Sequence, residues 1–376
     1  MWKAESKVRL LFVYCIFGIF GACTATDNPI EQALRADEPA LRVVMQNLPE
    51  HQVQVLFTEI ERDADGSVSF REHSFGLDDN RYFYPASTAK LPVALIALEK
   101  LQELEGVDRH SRYTVGEAGE ESSFTEDLIA LFVVSDNPAN NRLYEFLGKD
   151  EINLRLRRKG LRARIAHRLG VRDSDSLRTR AITFSRPEGG PLRIGPIDNS
   201  PIEILPLDNL LQGSAHIADG SLIDEPFDFS DNNYLPLSSL HQITQRLVFP
   251  EAFTEEERFQ LSDEHREFVL NTMRTLPREA GYDESEYPDG RLKYFLFGDS
   301  RERIPERIEI YNKIGRAYGY LTDSAYIVDR RTNREFLISA TIRVNANETF
   351  NDDIYEYVEI GLPFLAELGR QLVFER

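Results

Sequence analysis

The chain has 376 residues, 41% hydrophobic and 28% charged, with only 18 prolines and 22 glycines, which excludes a small stapled fold and a disordered or fibrous chain. Basic residues number 44 against 63 acidic ones, a formal charge of -19 whose field repels phosphate backbones and anionic membranes. No nucleic-acid partner is expected.

Residues 1–22 read as an export signal: Lys3, Lys7 and Arg9 form a basic start, and the apolar run over 10–20 is too short to span a bilayer. The run ends in Phe20-Gly21-Ala22-Cys23, which resembles the lipobox of bacterial lipoproteins and implies lipidation of Cys23 after cleavage. Phe20 stands where that motif has an aliphatic residue, so a cleaved soluble signal and an uncleaved anchor stay open as alternatives. The expected location is the exported bacterial cell envelope, with the membrane reached only through the lipid. Cys15 and Cys23 are the only cysteines, so a processed chain has no disulfide or thiolate metal site. Residues 23–29 read as a tether.

Apolar residues at helical spacing (Ile30, Leu34, Leu41, Val44, Met45, Leu48) predict a helix over 30–47. Strand-like alternation follows over 53–60 and 67–73, joined by Asp63-Ala64-Asp65-Gly66, which reads as a hairpin turn. A calcium loop would need a glutamate at its twelfth position, and Arg71-Glu72 does not supply that spacing. The stretch 87–104 predicts a strongly apolar helix, and 124–134 and 138–147 predict two more, interrupted by Ser135-Asp136-Asn137. From about 172 to 233 the periodicity gives way to Pro, Gly, Asp and Asn, a long irregular excursion with a hairpin near 181–194. Helices over 235–247 and 262–276, strands over 307–314, 324–329 and 335–343, and an amphipathic helix over 352–374 complete the chain. The economical arrangement is α+β: an antiparallel sheet from both chain ends, flanking helices, and an inserted helical lobe, all within 30–376.

Three short motifs carry chemistry. Ser87-Thr88-Ala89-Lys90 opens the apolar helix, so the serine and lysine lie one turn apart on the same face. A lysine desolvated there is neutral enough to take the proton of a serine nucleophile. Alone, the pattern arises by chance and commonly marks an exposed helix face. Ser135-Asp136-Asn137 before Pro138 also describes an ordinary helix start, with Asn137 as cap and proline at the first helical position. Lys313-Ile314-Gly315 on a predicted strand is uninformative by itself.

In this order and these settings the three motifs resemble the signatures of the penicillin-recognising serine hydrolases, especially the class A β-lactamases. Tyr318-Gly319 and Thr322-Asp323-Ser324-Ala325 are similar to that family's tight turn and next strand, and the resemblance covers roughly 30–376 apart from the excursion. It implies a β-lactamase/transpeptidase-like fold. It also implies Ser87 as acylated nucleophile, Lys90 as base or proton relay, and Ser135 as the group that passes the proton to the leaving nitrogen. Asn137 would hold a substrate amide, Lys313 would supply positive potential, and Gly315 and Arg316 would border the substrate. The backbone N–H groups of Ser87 and Arg316 would form the oxyanion hole, which requires the strand of Lys313 to lie close to the helix of Ser87.

Two departures bear on activity. Ile314 stands where the family has a threonine or serine whose hydroxyl helps bind a carboxylate; Arg316 or Arg343 would compensate, unless either is a surface arginine with no partner in the site. No Glu-x-x-Leu-Asn occurs where the family places the glutamate that activates the deacylating water, and only Glu188, Glu203 and Glu225 fall in the excursion. Acylation is therefore supported by sequence, whereas rapid turnover is not.

The expected function is an exported serine acyl-hydrolase acting on a small-molecule acyl substrate, β-lactam or peptidoglycan-like. The alternatives are a D,D-peptidase or esterase acting on cell-wall fragments, and a non-catalytic envelope binding module. No Gly-x-Ser-x-Gly elbow, His-Glu-x-x-His motif or phosphate loop occurs. The histidines are scattered without ligand spacing and read mostly as surface or cap residues, so no metal and no cofactor is expected.

Overall fold

The computed structural model describes residues 28–375. The export signal expected over 1–22, Cys23 and most of the tether over 23–29 lie outside the described residues. No helix among the described residues is long and apolar enough to cross a membrane.

Strands β1 (Gln54–Arg62) and β2 (Val68–Phe75) form an N-terminal hairpin, and β3 (Ile308–Ala317), β4 (Tyr320–Asp329) and β5 (Arg334–Arg343) form a C-terminal meander. They share one antiparallel sheet in the order β3-β4-β5-β1-β2, closed where β1 pairs with β5 and Gln54 faces Thr341. The sheet is thus built from both chain ends. The turn at 63–66 is a hairpin turn held by its own polar groups: Gly66 N donates to Asp63 O at 2.9 Å, and Ser67 N donates to Asp65 Oδ1 at 3.0 Å. Tyr318 and Gly319, at φ 53° and 74°, make the β3–β4 turn, as expected of a two-residue hairpin connection.

Side chains two apart on β3 share a face. Ile308, Ile310 and Ile314 pack with Phe364, Leu365, Leu368 and Leu372 of the C-terminal helix α9 (Leu362–Val373) and with residues of the two N-terminal helices. The helical lobe packs on the opposite face. It comprises α3 (Lys90–Leu101), α4 (Phe124–Val133), α5 (Asn137–Leu147), α6 (Lys149–Arg158), α7 (Leu237–Val248) and α8 (Asp263–Arg274) around a second core.

Some expectations are corrected. The helix expected over 30–47 is broken into α1 (Pro29–Leu34) and α2 (Pro39–Gln46), because Pro39 drives Glu38 to an extended conformation (φ -106°, ψ 130°). The last helix does not begin at 352: residues 352–356 are loop, with Asp353 at φ 60°, and a wide turn over Tyr357–Gly361 leads into α9. The excursion has more structure than its composition suggests. The hairpin expected near 181–194 is present, with Ile182–Phe184 paired to Leu192–Ile194, and a further one that was not expected pairs Ala215–Ala218 with Ser221–Ile223. Histidines are less superficial than expected, since His51, His241 and His265 are buried. His241 of α7 shares hydrogen bonds with Thr58 Oγ1 at 2.9 Å and Ser339 Oγ at 2.8 Å, and Ser339 in turn meets Ser324 at 2.8 Å. Burial pushes the His241 imidazole down to about 3.

Candidate active site

The nucleophile position lies on a tight turn before α3. Pro85 ends the incoming segment, Ala86 takes a left-handed conformation (φ 47°), and Ala86–Ala89 forms one 3₁₀ turn that runs directly into α3 at Lys90. Thr88 secures the turn by donating its hydroxyl and its N–H to Pro85 O, at 2.6 and 3.1 Å. Ser87 remains half-buried while its neighbours Ala86, Thr88 and Ala89 are buried. Left-handed backbone at a residue with a Cβ costs on the order of 1–3 kcal/mol and persists only where surrounding structure enforces it.

A second such residue is Ser135, at φ 59°, in the corner between α4 and α5. The corner is fixed from both sides. A capping box of Ser123 and Glu126 starts α4, and Arg142 of α5 donates its Nε to the buried Asp127 of α4 at 2.9 Å. The cap of α5 is Asp136, not Asn137 as expected: Asp136 Oδ1 accepts from Ala139 N at 2.7 Å, and Asn137 and Pro138 occupy the first two helical positions. That shift releases the Asn137 amide from capping and leaves it on the wall of the cleft.

Ser135 Oγ receives Lys313 Nζ at 2.8 Å and Lys90 Nζ at 3.3 Å, and Lys90 Nζ also donates to the Ser135 carbonyl. Lys90 is 0% and Lys313 2% exposed. Burial lowers Lys90 to about 7, with nearby Asp136 pulling the other way. Burial lowers Lys313 well below the usual lysine range, and the adjacent Lys90 lowers it further, partly offset by Asp323. Behind Lys313, Asn312 donates to Asp323 at 2.9 Å and accepts from Lys293 Nζ at 2.7 Å. Burial raises Asp323 to about 6 and lowers Lys293 to about 8.

Gly315 explains how strand and turn approach so closely. A Cβ at that position would lie 2.5 Å from Pro85 O and 3.2 Å from Ser87 N, so any side chain would push β3 off the nucleophile turn. Ser87, Asn137 and Arg316 line one cleft of about 590 Å³, with Tyr84, Tyr318, Tyr355 and Tyr357. Of the expected site residues, Ser87, Asn137 and Arg316 line this cleft and Gly315 packs against the Ser87 backbone, whereas Lys90, Lys313 and Ser135 form a hydrogen-bonded group of their own that Lys90 connects, along the chain, to the turn of Ser87.

The departures resolve differently. Ile314 is buried on the opposite face of the sheet among the residues that pack on α9, so it does not place an apolar surface in the cleft. Arg343 is no compensating group and no surface residue: it is 5% exposed, pairs with Glu348 at 2.5 Å and lies over the Phe350 ring. Arg316 is exposed on the cleft wall, its guanidinium 5.6 Å above the Tyr357 ring. None of Glu188, Glu203 and Glu225 lines the cleft, and Asp353 is the one carboxylate that does among the described residues.

Sequence reasoning did not identify the part of the cleft wall formed by Leu169 and Gly170. Asn141, one turn beyond Asn137, accepts from Leu169 N at 2.9 Å and donates to Leu169 O at 2.8 Å. This holds Leu169 and Gly170 in the cleft wall, where a Cβ on Gly170 would strike Asn137 Nδ2 at 2.6 Å. One turn further, Glu145 takes Arg168 bidentately at 2.8 and 3.1 Å and accepts Arg180 N at 2.7 Å, with both members of the Glu145–Arg168 pair buried. Asn137, Asn141 and Glu145 form an i, i+4, i+8 row on α5, the one sequence signal that could have revealed this wall.

The sequence model of the β-lactamase enzyme family matches residues 39–187, less than half of the chain, including the motifs at 87–90 and 135–137. No curated protein matches in sequence. In structure the chain is similar to a β-lactamase from Burkholderia vietnamiensis (TM-score 0.53, 13% identity, 92% of this chain and 95% of that one). It is also similar to a β-lactamase from Xanthomonas campestris pv. campestris (TM-score 0.52, 14% identity, 92% and 97%). PBP-A is a third such neighbour (TM-score 0.50, 14% identity, 92% and 93%). The chain thus has the fold of the penicillin-recognising serine hydrolases. Its fold is β-lactamase-like, and residues 39–187 match the sequence pattern of the β-lactamase enzyme family.

Proposed function

We propose that this protein is an exported serine acyl-hydrolase in which Ser87 is acylated by β-lactams or related acyl amides and esters, and in which deacylation is the slow step. The observation that carries this reading is the single hydroxyl of Ser135 between two buried amines, one of them Lys90, three residues after a half-buried serine that lines a cleft. Ser87 Oγ attacks the acyl carbon while Lys90, neutral in about half of molecules near pH 7, takes its proton. The C–N or C–O bond of the substrate then breaks. Its nitrogen or oxygen receives the proton through Ser135, and the acyl group remains on Ser87. The N–H groups of Ser87 and Arg316 stabilise the developing oxyanion, a contribution of about 3 kcal/mol per donor. Arg316 supplies the positive potential for an anionic substrate, Lys313 adds to it only in molecules that keep its amine protonated, and Asn137 receives its amide.

Slow deacylation follows from what surrounds Ser87. Asp353 is the only carboxylate of the cleft among the described residues, and Leu169 and Gly170 form the wall from the excursion side. The same feature favours, as second reading, a D,D-peptidase or esterase acting on cell-wall fragments. A chromogenic cephalosporin assay with intact-mass analysis tests both. A long-lived adduct on Ser87 is expected, and it disappears in Ser87→Ala. Fast steady turnover would contradict slow deacylation, and the absence of any adduct with β-lactam or activated ester would favour a binding module. Export and anchoring rest on residues 1–23 alone. Membrane fractionation of the full chain and of Cys23→Ser tests them, with release of the variant expected.

A further inference from the structure

A second cavity lies apart from the Ser87 cleft. It measures about 860 Å³ and lies between α6, the segment 161–164 and the strap 200–207. Its volume is that of a site for a drug-sized molecule. Its charge runs against the rest of the chain: Lys149, Arg157, Arg162 and Arg164 line it against only Asp150 and Glu203, in a protein of formal charge -19. Lys149 and Asp150 pair with each other at 2.6 Å, and Asp150 also accepts the Ser200 N–H at 2.7 Å, which leaves three arginines against Glu203.

Arg164 is the decisive residue. It is 6% exposed, and its guanidinium donates only to backbone carbonyls, to Glu203 O at 2.6 Å and to Asn232 O at 3.1 Å. It forms no ion pair among the described residues, and Glu203 and Asp231 attract it only from beyond ion-pair distance, so burial still disfavours its charge. Arg157 likewise forms no ion pair among the described residues, and Arg162 comes no closer than 4.0 Å to Asp79. The rest of the lining is largely apolar, with Leu154, Ile202, Leu207 and Tyr234.

We propose that this cavity is a second ligand site, separate from the Ser87 cleft, for an organic anion with an apolar body: a carboxylate or phosphate head at Arg157, Arg162 and Arg164, and a tail against Leu154 and Ile202. It stands whether or not Ser87 is acylated, and Ser87→Ala is expected to bind equally.

Calorimetric titration of the full chain with decanoate, beside decanol and inorganic phosphate, tests the proposal. Saturable one-site binding of decanoate, at least tenfold tighter than either control, is expected. The charge-reversed double variant Arg157→Glu with Arg162→Glu, whose side chains are exposed, is expected to lose tenfold or more in affinity. The milder Arg157→Gln provides a second reading, with a threefold or greater loss. Arg316→Glu, on the wall of the other cleft, is expected to change nothing. Decanoate that fails to saturate, that binds the double variant as tightly as the parent, or that is lost in Arg316→Glu overturns the proposal.

Discussion

Ser135 Oγ stands 2.8 Å from Lys313 Nζ and 3.3 Å from Lys90 Nζ, so one hydroxyl is the shared partner of two buried amines. Like charges this close cannot both be carried cheaply in a buried setting. The hydroxyl therefore separates the amines as well as connecting them. Ser135→Ala is expected to lower the acylation rate about 100-fold, the scale of a lost proton relay. Stopped-flow acylation by a chromogenic cephalosporin measures it, and an unchanged rate would remove Ser135 from the proton path.

Lys90, lowered by burial to about 7, dictates a pH profile. A base must be unprotonated to act, so the acylation rate rises about tenfold per pH unit below pH 7 and levels off above it. Acylation measured between pH 5.5 and 8.5 checks this. A flat profile would be incompatible with Lys90 as the base.

Gly315→Ala puts a methyl group 2.5 Å from Pro85 O. Overpacking of this kind costs about 1–3 kcal/mol, and the displaced strand carries Lys313 and the Arg316 N–H with it. Thermal unfolding and acylation should therefore fall together, by several degrees and by about 100-fold. Normal acylation in a destabilised variant would mean that the strand and turn can separate without consequence.

Glu145→Gln leaves Arg168 buried without its carboxylate, a loss of about 3–5 kcal/mol. Limited proteolysis within 161–180 should accelerate along with the drop in urea midpoint. If stability falls but these bonds stay protected, the pair is not what secures the cleft wall.

His241 links the sheet to acidity. Its folded value of about 3 lies below the ordinary 6.5, so between those values the unfolded chain binds a proton that the folded one does not. The stabilisation is fully present above about pH 6.5 and is lost as pH falls toward 3, at up to about 1.4 kcal/mol per unit. Urea unfolding from pH 4 to 7 should show this slope, and His241→Gln should be less stable at pH 7 but flatter with pH. Equal slopes in both would assign the acid sensitivity to other groups.

What the sequence made legible was local. Alternation on β1, β2 and the meander exposed the sheet, and Ser87, Lys90, Ser135 and Lys313 could be picked out because each sits in a short motif at a helix start or on a strand. Boundaries shifted where one residue outweighed periodicity, as Pro39 did in breaking the first helix and Asp136 in taking the cap from Asn137. The wall at Leu169 and Gly170 was hidden because its order comes from side chains of α5 holding backbone far along the chain, Asn141 at Leu169 and Glu145 at Arg180. Tyr84, Tyr318 and the pair Tyr355 and Tyr357 meet in the cleft from three separate regions of sequence, and no spacing rule connects the three.

The contact between Gly170 and Asn137 also limits how this molecule could change over generations. An acidic side chain introduced at position 170 to activate water would start from a left-handed backbone (φ 66°) and push the amide at 137 aside. On the proposed acyl-transfer reading, such a replacement would exchange part of the recognition by Asn137 for a water-activating group.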